Sequence, residues 1–109
     1  MKQVMVRYQV KPDRTEENEA LVRAVYDELR RTDLAGLRYA TFKLDDDVTF
    51  VHIAVETGEG DRSLADLEAF QAFTKDIGDR CDVAPVATGL REVGSFRFFD
   101  TEVVKLPES

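Results

Sequence analysis

The hydrophobic pattern of residues 49–56 is that of a β-strand covered on both faces. The segment reads Thr-Phe-Val-His-Ile-Ala-Val-Glu, and successive side chains point to opposite faces of a strand. One face carries Val51, Ile53 and Val55, and the other carries Phe50, His52 and Ala54. A strand with one face in water would alternate apolar with polar residues. We therefore expect both faces of this strand to be covered.

Alternating and helical spacing of apolar residues predicts three more strands and two helices. The strands are expected over residues 3–10, 37–44 and about 88–99. The helices are expected from about residue 13 to 31, and from a cap at Ser63 to about Ile77.

Turn residues separate these elements. The triplet Asp45–Asp47 predicts a hairpin between the second and third strands, and Gly58 and Gly60 mark a loop. Pro85 predicts a firm stop after the second helix. Gly94 predicts a bulge in the fourth strand, because the apolar phase slips near it.

The resulting order, β-α-β-β-α-β, predicts an α+β fold of the ferredoxin-like type in one domain over residues 1–109. Right-handed crossovers place both helices on one face of a four-stranded antiparallel sheet. The helix-free face is too apolar for water, so we expect a homodimer through it. The core is expected over residues 3–99, with a tail over 100–109 that either extends the last strand or crosses to the partner.

Composition excludes several classes of partner. The net charge is −7, with 15 basic against 22 acidic residues, which disfavours nucleic acid and anionic membrane surfaces. Cys81 is the only cysteine, so no internal disulfide forms. The chain starts without a signal-peptide pattern and has no apolar stretch of about 18 residues. We expect a cytoplasmic protein.

His52, the only histidine, is the first candidate for chemistry. An imidazole titrates near neutrality and can take a proton from a phenol. Arg7 and Gln9 share a strand face and neighbour His52 if the first and third strands pair, so that Arg7 stabilises the resulting anion. The alternatives are a packed, hydrogen-bonded His52 in the sheet or the dimer interface, and an Arg7 paired with Glu56.

Other candidate groups have simpler interpretations. Tyr8 and Tyr26 are expected in the core with their hydroxyls at its edge, and Tyr39 and Arg38 on opposite faces of the second strand. Cys81 has no base near it in the sequence. Counted from Asp45, Glu56 falls at position 12 of a calcium loop, but Phe50 replaces the required glycine. No metal site and no cofactor site is expected.

Two segments resemble antibiotic biosynthesis monooxygenase-like proteins, and the resemblance covers roughly residues 3–99. The first is Met5–Asp13, which reads Met-Val-Arg-Tyr-Gln-Val-Lys-Pro-Asp before a helix with an acidic start. The second is Phe50–Glu56, followed by a loop and the Phe-rich helix around Phe70–Phe73. The resemblance implies a small dimeric α+β barrel. It also implies a cavity between helices and sheet that holds a polycyclic phenol in the cofactor-free oxygenases of the family.

The sequence departs from this family at two positions. Many members carry Glu-x-Trp after the third strand; here Glu56 is kept, but Gly58 stands where Trp is expected. The second helix has no histidine, which disfavours the haem-degrading branch.

Three functions stay open from the sequence. The first is a cofactor-independent oxygenase or isomerase acting on an aromatic or polyketide-like molecule, with His52 and Arg7 as catalytic residues. The second is a dimeric module that binds a small hydrophobic ligand without reaction. The third is a structural domain without a ligand. A cavity lined by His52 and Arg7 favours the first, an apolar cavity without them the second, and a filled core the third.

Overall fold

The computed structural model describes residues 2–57 and 62–98. Its strands are β1 (Lys2–Val10), β2 (Leu37–Lys43), β3 (Thr49–Glu56) and β4 (Cys81–Gly89). Its α-helices are α1 (Thr15–Thr32), α2 (Glu68–Thr74) and α3 (Ile77–Arg80), with short 3₁₀ turns at Pro12–Arg14 and Leu64–Asp66. The predicted loop glycines Gly58 and Gly60 and the predicted tail 100–109 lie outside the described residues.

The strands form one antiparallel sheet in the order β2-β3-β1-β4. This order, with the two helical regions between β1 and β2 and between β3 and β4, confirms the predicted ferredoxin-like α+β fold. The core joins one sheet face to the helices: Tyr8, Val10 and Phe50 of the sheet pack with helical residues such as Val25 and Phe73. Burying each of these side chains contributes about 1.5–3 kcal/mol to folding.

The prediction for the fourth strand was wrong in position. β4 spans Cys81–Gly89 and includes Pro85, whereas residues 91–98, with Gly94 among them, belong to no strand. Proline is tolerated in an edge strand and at a bulge, because no ladder hydrogen bond needs its missing N–H. β4 is such an edge strand, and its register against β1 shifts between Arg7 and Gln9, opposite Val86 and Val83. Pro85 lies in that irregular stretch.

The predicted second helix is broken into shorter pieces. Ser63 does open this region, and its backbone N–H donates to Asp66 at 2.8 Å. A 3₁₀ turn follows, then α2, which ends at Thr74 before a turn whose Asp76 has φ 61°. Lys75 is already extended, with ψ 127°, and this stops α2 because the next N–H groups no longer reach the carbonyls four residues back.

The predicted hairpin at Asp45–Asp47 is confirmed. Asp46 accepts hydrogen bonds from the backbone N–H groups of Val48 and Thr49 and from the Thr49 hydroxyl. These bonds lower the pKa of the Asp46 carboxyl, the Thr49 hydroxyl first. The acidic triplet therefore forms a turn, as its position between two strands predicted, and the Asp46 carboxylate stabilises that turn.

The helix-free face of the sheet carries exposed apolar side chains. Phe42, Val83 and Val86 are each more than half exposed, whereas Val55 on the same face is buried. Residues 90–98 lie beside the end of this face, where they form a cavity of about 460 Å³ with Gln3, Ile53 and Val55. The chain thus covers part of its second sheet face itself.

Candidate functional site

A cavity of about 370 Å³ lies between the sheet and the second helical region. Most of its wall is apolar, from Val4 and Val6 of β1 and from Phe70, Phe73 and Ile77 of the helices. Tyr8, Tyr39 and His52 supply its polar groups around the imidazole, and Lys2 and Glu56, which lie opposite each other on β1 and β3, also line it. Glu56 is the fourth residue after His52, a distance of about 13 Å along the strand. The cavity has the size and lining of a small-molecule site.

His52 is buried in this wall, with both ring nitrogens in hydrogen bonds. Nε2 lies 2.8 Å from the Tyr8 hydroxyl. Nδ1 lies 2.8 Å from the Tyr39 hydroxyl and 2.9 Å from the Thr41 hydroxyl. Its side chain is 4% exposed. The interpretation of His52 as a packed, hydrogen-bonded residue is confirmed, and it faces the cavity as well.

Aromatic rings hold the imidazole in place. The Tyr8 and Tyr39 rings stack on it with centroids 5.4 and 5.8 Å away, and the Phe73 ring tilts against it at 5.3 Å. Such pairs contribute beyond their buried area. The ring of His52 is therefore fixed by packing as well as by hydrogen bonds.

The hydrogen bonds continue from Tyr8 away from the cavity. Asn18 Nδ2 donates to the Tyr8 hydroxyl at 2.8 Å, and Arg80 Nε donates to Asn18 Oδ1 at 3.2 Å. Asn18 and Arg80 are 0% and 2% exposed. On the other side, the Tyr26 hydroxyl lies 2.8 Å from that of Thr41. One connected network thus runs from α1 through β2, β3 and β1 to the end of α3.

Burial sets the protonation of these groups. It lowers the pKa of His52 to about 4 and raises the pKa values of Tyr8 and Tyr39 well above their ordinary value, because a low-dielectric site disfavours each charged form. His52 is therefore neutral at pH 7, and both phenol groups are protonated. The site can accept a proton at an imidazole nitrogen and can donate hydrogen bonds from hydroxyls.

The prediction that Arg7 neighbours His52 was wrong. In the β1–β3 ladder Val6 lies opposite His52, and Arg7 lies opposite Val51. Paired residues share a sheet face, so Arg7 points to the helix-free side. The alternative pairing of Arg7 with Glu56 is also wrong, because Lys2 lies opposite Glu56. Gln9 lies on the same side as Arg7.

Sequence analysis missed three members of the network, Asn18, Thr41 and Arg80. Asn18 lies at the spacing of Val22, Val25 and Leu29 on α1, and a polar residue in an apolar stripe is a detectable signal. Arg80 gave no such signal, because the end of the second helix was not fixed by pattern. Tyr8 was placed in the core correctly, but its hydroxyl lies inside the core instead of at its edge.

Except for Tyr39, the remaining sequence candidates lie away from the cavity. Tyr39 and Arg38 are on opposite faces of β2, as predicted, and only Tyr39 lines the cavity. Cys81 begins β4, and burial raises the pKa of its thiol. Within residues 2–57 and 62–98, no three His, Cys, Asp or Glu side chains are grouped as a metal site. In the same part of the chain no helix is long and apolar enough to cross a membrane.

Comparison with solved structures identifies the fold. Rv0793 from Mycobacterium tuberculosis is 17% identical with a TM-score of 0.68, and the match covers 86% of this chain and 96% of that one. A protein solved as an antibiotic biosynthesis monooxygenase is 19% identical with a TM-score of 0.66, over 86% and 100%. A variant of SnoaB, a cofactor-independent oxygenase from Streptomyces nogalater, is 16% identical with a TM-score of 0.63, over 87% and 95%.

At the level of sequence, no protein-family model matches the chain and no curated protein matches it significantly. Identities this low establish a shared fold and nothing finer. The chain therefore has the fold of proteins named antibiotic biosynthesis monooxygenases, which confirms the structural part of the resemblance seen in its sequence.

Proposed function

We propose that this protein binds a small aromatic molecule in the cavity beside His52 and oxidises it with molecular oxygen, without a cofactor. The observation that carries the proposal is an apolar cavity of about 370 Å³ whose polar wall is a neutral, buried imidazole flanked by two tyrosines. The shared fold with SnoaB, named as a cofactor-independent oxygenase, supports the same reaction class. The substrate class is a polycyclic phenol or its keto tautomer.

The proposed reaction requires a group that accepts a proton from the substrate and a group that stabilises the resulting anion. Loss of a proton from the substrate gives a carbanion or phenolate, which is electron-rich enough to reduce oxygen. One oxygen atom then bonds to the substrate carbon, and the other leaves as water when a second proton is lost. The substrate supplies all four electrons that reduce the two oxygen atoms, so the products are a quinone and water.

The geometry assigns these tasks differently from the sequence. His52 stays the proposed proton acceptor, because it is neutral at pH 7 and its neighbours line the cavity. Arg7 lies on the other sheet face and has no part in the proposal. The Tyr39 hydroxyl, which lines the cavity beside His52, is the proposed hydrogen-bond donor to the anion.

The direct test is oxygen uptake with anthrone, a tricyclic ketone whose enol is a phenol. We expect uptake above the buffer rate, one anthraquinone formed per oxygen consumed, and loss of about a hundredfold or more in His52→Ala, as for removal of a general base. Arg7→Ala is the matched control on the opposite face and should keep the rate. No uptake above buffer, or equal uptake by His52→Ala, would overturn the oxygenase proposal.

One observation favours a second function, binding without reaction. Both nitrogens of His52 are already engaged by protein hydroxyls, and Lys2, the cation that lines the cavity, lies opposite Glu56 and four residues along β1 from the partner of His52. In that case anthrone quenches the tyrosine fluorescence in a saturable way while oxygen is not consumed. Saturable binding with no turnover would select this function over the first.

We infer that the helix-free face pairs with a second copy of the chain. Phe42, Val83 and Val86 are exposed on it, and large exposed apolar patches on soluble proteins mark interaction sites. A strip of roughly 500 Å² per subunit corresponds to on the order of 12 kcal/mol per chain before association costs. A homodimer is the simplest assembly that covers this face, because a two-fold axis pairs the same apolar patch of both copies.

A further inference from the structure

We propose that Arg80 and Asn18 are positioning residues that hold neutral His52 in one tautomer, with its proton on Nδ1 and its lone pair on Nε2 toward Tyr8. The tautomer follows from hydrogen bonding alone. Its catalytic consequence rests on the proposed function.

The chain of constraints begins at Arg80, whose guanidinium is anchored by backbone carbonyls. Nη2 donates to the Phe73 carbonyl at 2.6 Å and Nη1 to the Lys75 carbonyl at 3.3 Å. The guanidinium also packs over the Phe73 ring, 5.6 Å from its centroid. The extended Lys75 ends α2, and the left-handed Asp76 follows it, so these carbonyls are left unused by the helix. The break in the second helix thus serves to bind Arg80.

Arg80 in turn fixes the amide of Asn18. Nε of arginine carries a hydrogen and can only donate, so the atom 3.2 Å from it must be the amide oxygen of Asn18. The amide nitrogen then faces the Tyr8 hydroxyl at 2.8 Å. Rotating the amide by half a turn would set two donors against each other.

The hydrogen bonds of Tyr8 then decide which nitrogen of the imidazole is the acceptor. Its oxygen accepts the Asn18 N–H, and its own proton has an acceptor in His52 Nε2 at 2.8 Å. If Nε2 carried the proton, the Tyr8 oxygen would face two donors and its own buried proton would lose that acceptor, which is unfavourable. The lone pair of His52 is therefore on Nε2. Nδ1 carries the proton and donates to the Tyr39 or Thr41 hydroxyl.

The tautomer determines the route of a proton into the site. A neutral imidazole accepts only at its lone pair, which here points at Tyr8, a residue of the cavity wall. A substrate proton passes to the Tyr8 oxygen while the Tyr8 proton passes to Nε2. The imidazolium then has N–H bonds to Tyr8 and to Tyr39 or Thr41, and no heavy atom has moved.

The tautomer can be measured directly, because His52 is the only histidine in the sequence. In a two-bond ¹⁵N–¹H correlation spectrum of untagged protein at pH 7, the unprotonated ring nitrogen resonates far downfield of the protonated one. We expect the downfield nitrogen to be Nε2, identified by its couplings to both ring protons. A downfield Nδ1 would overturn the proposal in the wild-type protein itself.

Asn18→Asp tests the role of the amide with an almost isosteric change. The new carboxylate accepts from both Arg80 and the Tyr8 hydroxyl, so the Tyr8 oxygen must accept a proton from Nε2, and the downfield signal should move from Nε2 to Nδ1. Arg7→Lys, on the opposite sheet face, should leave the spectrum unchanged. An unchanged tautomer in Asn18→Asp would show that Asn18 does not set it.

A second pair of variants covers the case in which Asn18→Asp does not fold. Arg80→Lys keeps a donor for the Asn18 oxygen and should keep the Nδ1–H form, whereas Arg80→Met frees the amide and should give a mixture of tautomers. Equal spectra for this pair would overturn the role of Arg80.

Activity gives a separate readout. We expect Asn18→Asp to lower kcat for anthrone oxidation about tenfold or more with little change in KM, since the cavity wall is unchanged. Equal kcat for Asn18→Asp and wild type would overturn the catalytic role of the tautomer. The predicted spectra together with no oxygen uptake by any variant would support the tautomer and overturn the oxygenase proposal.

Discussion

At the scale of single residues, His52 shows how burial decides protonation. Its imidazole lies among three aromatic rings and three hydroxyl groups. In the described part of the chain its hydrogen-bond partners are hydroxyl groups and not carboxylates, so none of them offsets the cost of a buried positive charge. Desolvation lowers its pKa to about 4, and the folded protein therefore resists protonation in a pH range where the unfolded chain accepts it.

This difference predicts a pH-dependent stability. The pKa of His52 is about 4 in the folded state and about 6.5 unfolded, so stability is present above pH 6.5 and falls as the pH falls below it. Between pH 7 and pH 4.5 we expect a loss of roughly 2 kcal/mol in the free energy of unfolding. Urea unfolding over this range measures it.

His52→Gln is the control for that experiment. It keeps a side chain with a donor and an acceptor but cannot titrate. Hydrogen bonds from Arg14, Lys43 and Thr49 lower the pKa values of Glu17, Glu19 and Asp46, respectively, so these carboxyls lose their contributions only below about pH 4.5. A slope in His52→Gln equal to that of wild type between pH 7 and 4.5 would contradict the assignment to His52.

The residue scale also shows what a sequence determines about a site. His52 was recognisable because it is the only histidine and lies in a strand of clear pattern. Arg7 was misplaced because its face relative to His52 depends on the pairing register, and a shift of one residue reverses every face. Both strands had been located correctly; nothing in their composition distinguishes Val6 from Arg7 as the partner of His52.

At the scale of elements, the errors lie where tertiary contacts override local pattern. Pro85 was interpreted as a stop, yet it lies in β4, because an edge strand with a shifted register can accommodate it. The second helix was predicted as continuous, yet it breaks at Asp76, where the freed carbonyls bind Arg80. The spacing of Phe70, Phe73 and Ile77 indicated the buried side, but not the break. Local helix propensity does not show that Arg80, five to seven residues farther along the chain, takes these carbonyls as hydrogen-bond acceptors.

In the β2–β3 hairpin, we expect only one of the three adjacent aspartates, Asp46, to contribute to stability. Asp46 receives hydrogen bonds from Val48 and Thr49. We expect Asp46→Ala to lower the free energy of unfolding, because two backbone N–H groups and the Thr49 hydroxyl lose their acceptor. Asp45→Ala, at an exposed neighbouring position, should change it by less than about 0.5 kcal/mol. Chemical denaturation compares them, and equal effects would show that the hairpin does not depend on Asp46.

At the scale of the whole molecule, two sheet faces are covered in different ways. Helices cover the face of Tyr8 and His52 except where the cavity lies. The other face is partly covered by residues 90–98 around Ile53 and Val55, which the sequence did not predict because it assigned those residues to a strand. Phe42, Val83 and Val86 stay exposed beyond that cover. A second copy therefore needs to cover less than the whole face.

Association through this face can be tested at the edge strand. Val86 is 59% exposed, lies opposite Arg7 and shares its face. At micromolar concentration, light scattering should report about twice the chain mass of 12.4 kDa. Val86→Lys should weaken dimerisation about tenfold or more, because a buried valine contributes about 1.5–3 kcal/mol and each interface holds two copies of the substitution.

The control substitution is Ala24→Lys, at an exposed position of α1 on the far side of the molecule. It adds the same charge to a chain of net charge −7 and should leave the mass at low concentration unchanged. A wild-type mass of one chain at micromolar concentration would contradict the homodimer. So would equal weakening by Ala24→Lys, because the loss would then follow from charge and not from the helix-free face. Dimerisation that survives Val86→Lys would place the contact away from β4, toward Phe42 at the opposite edge of the sheet.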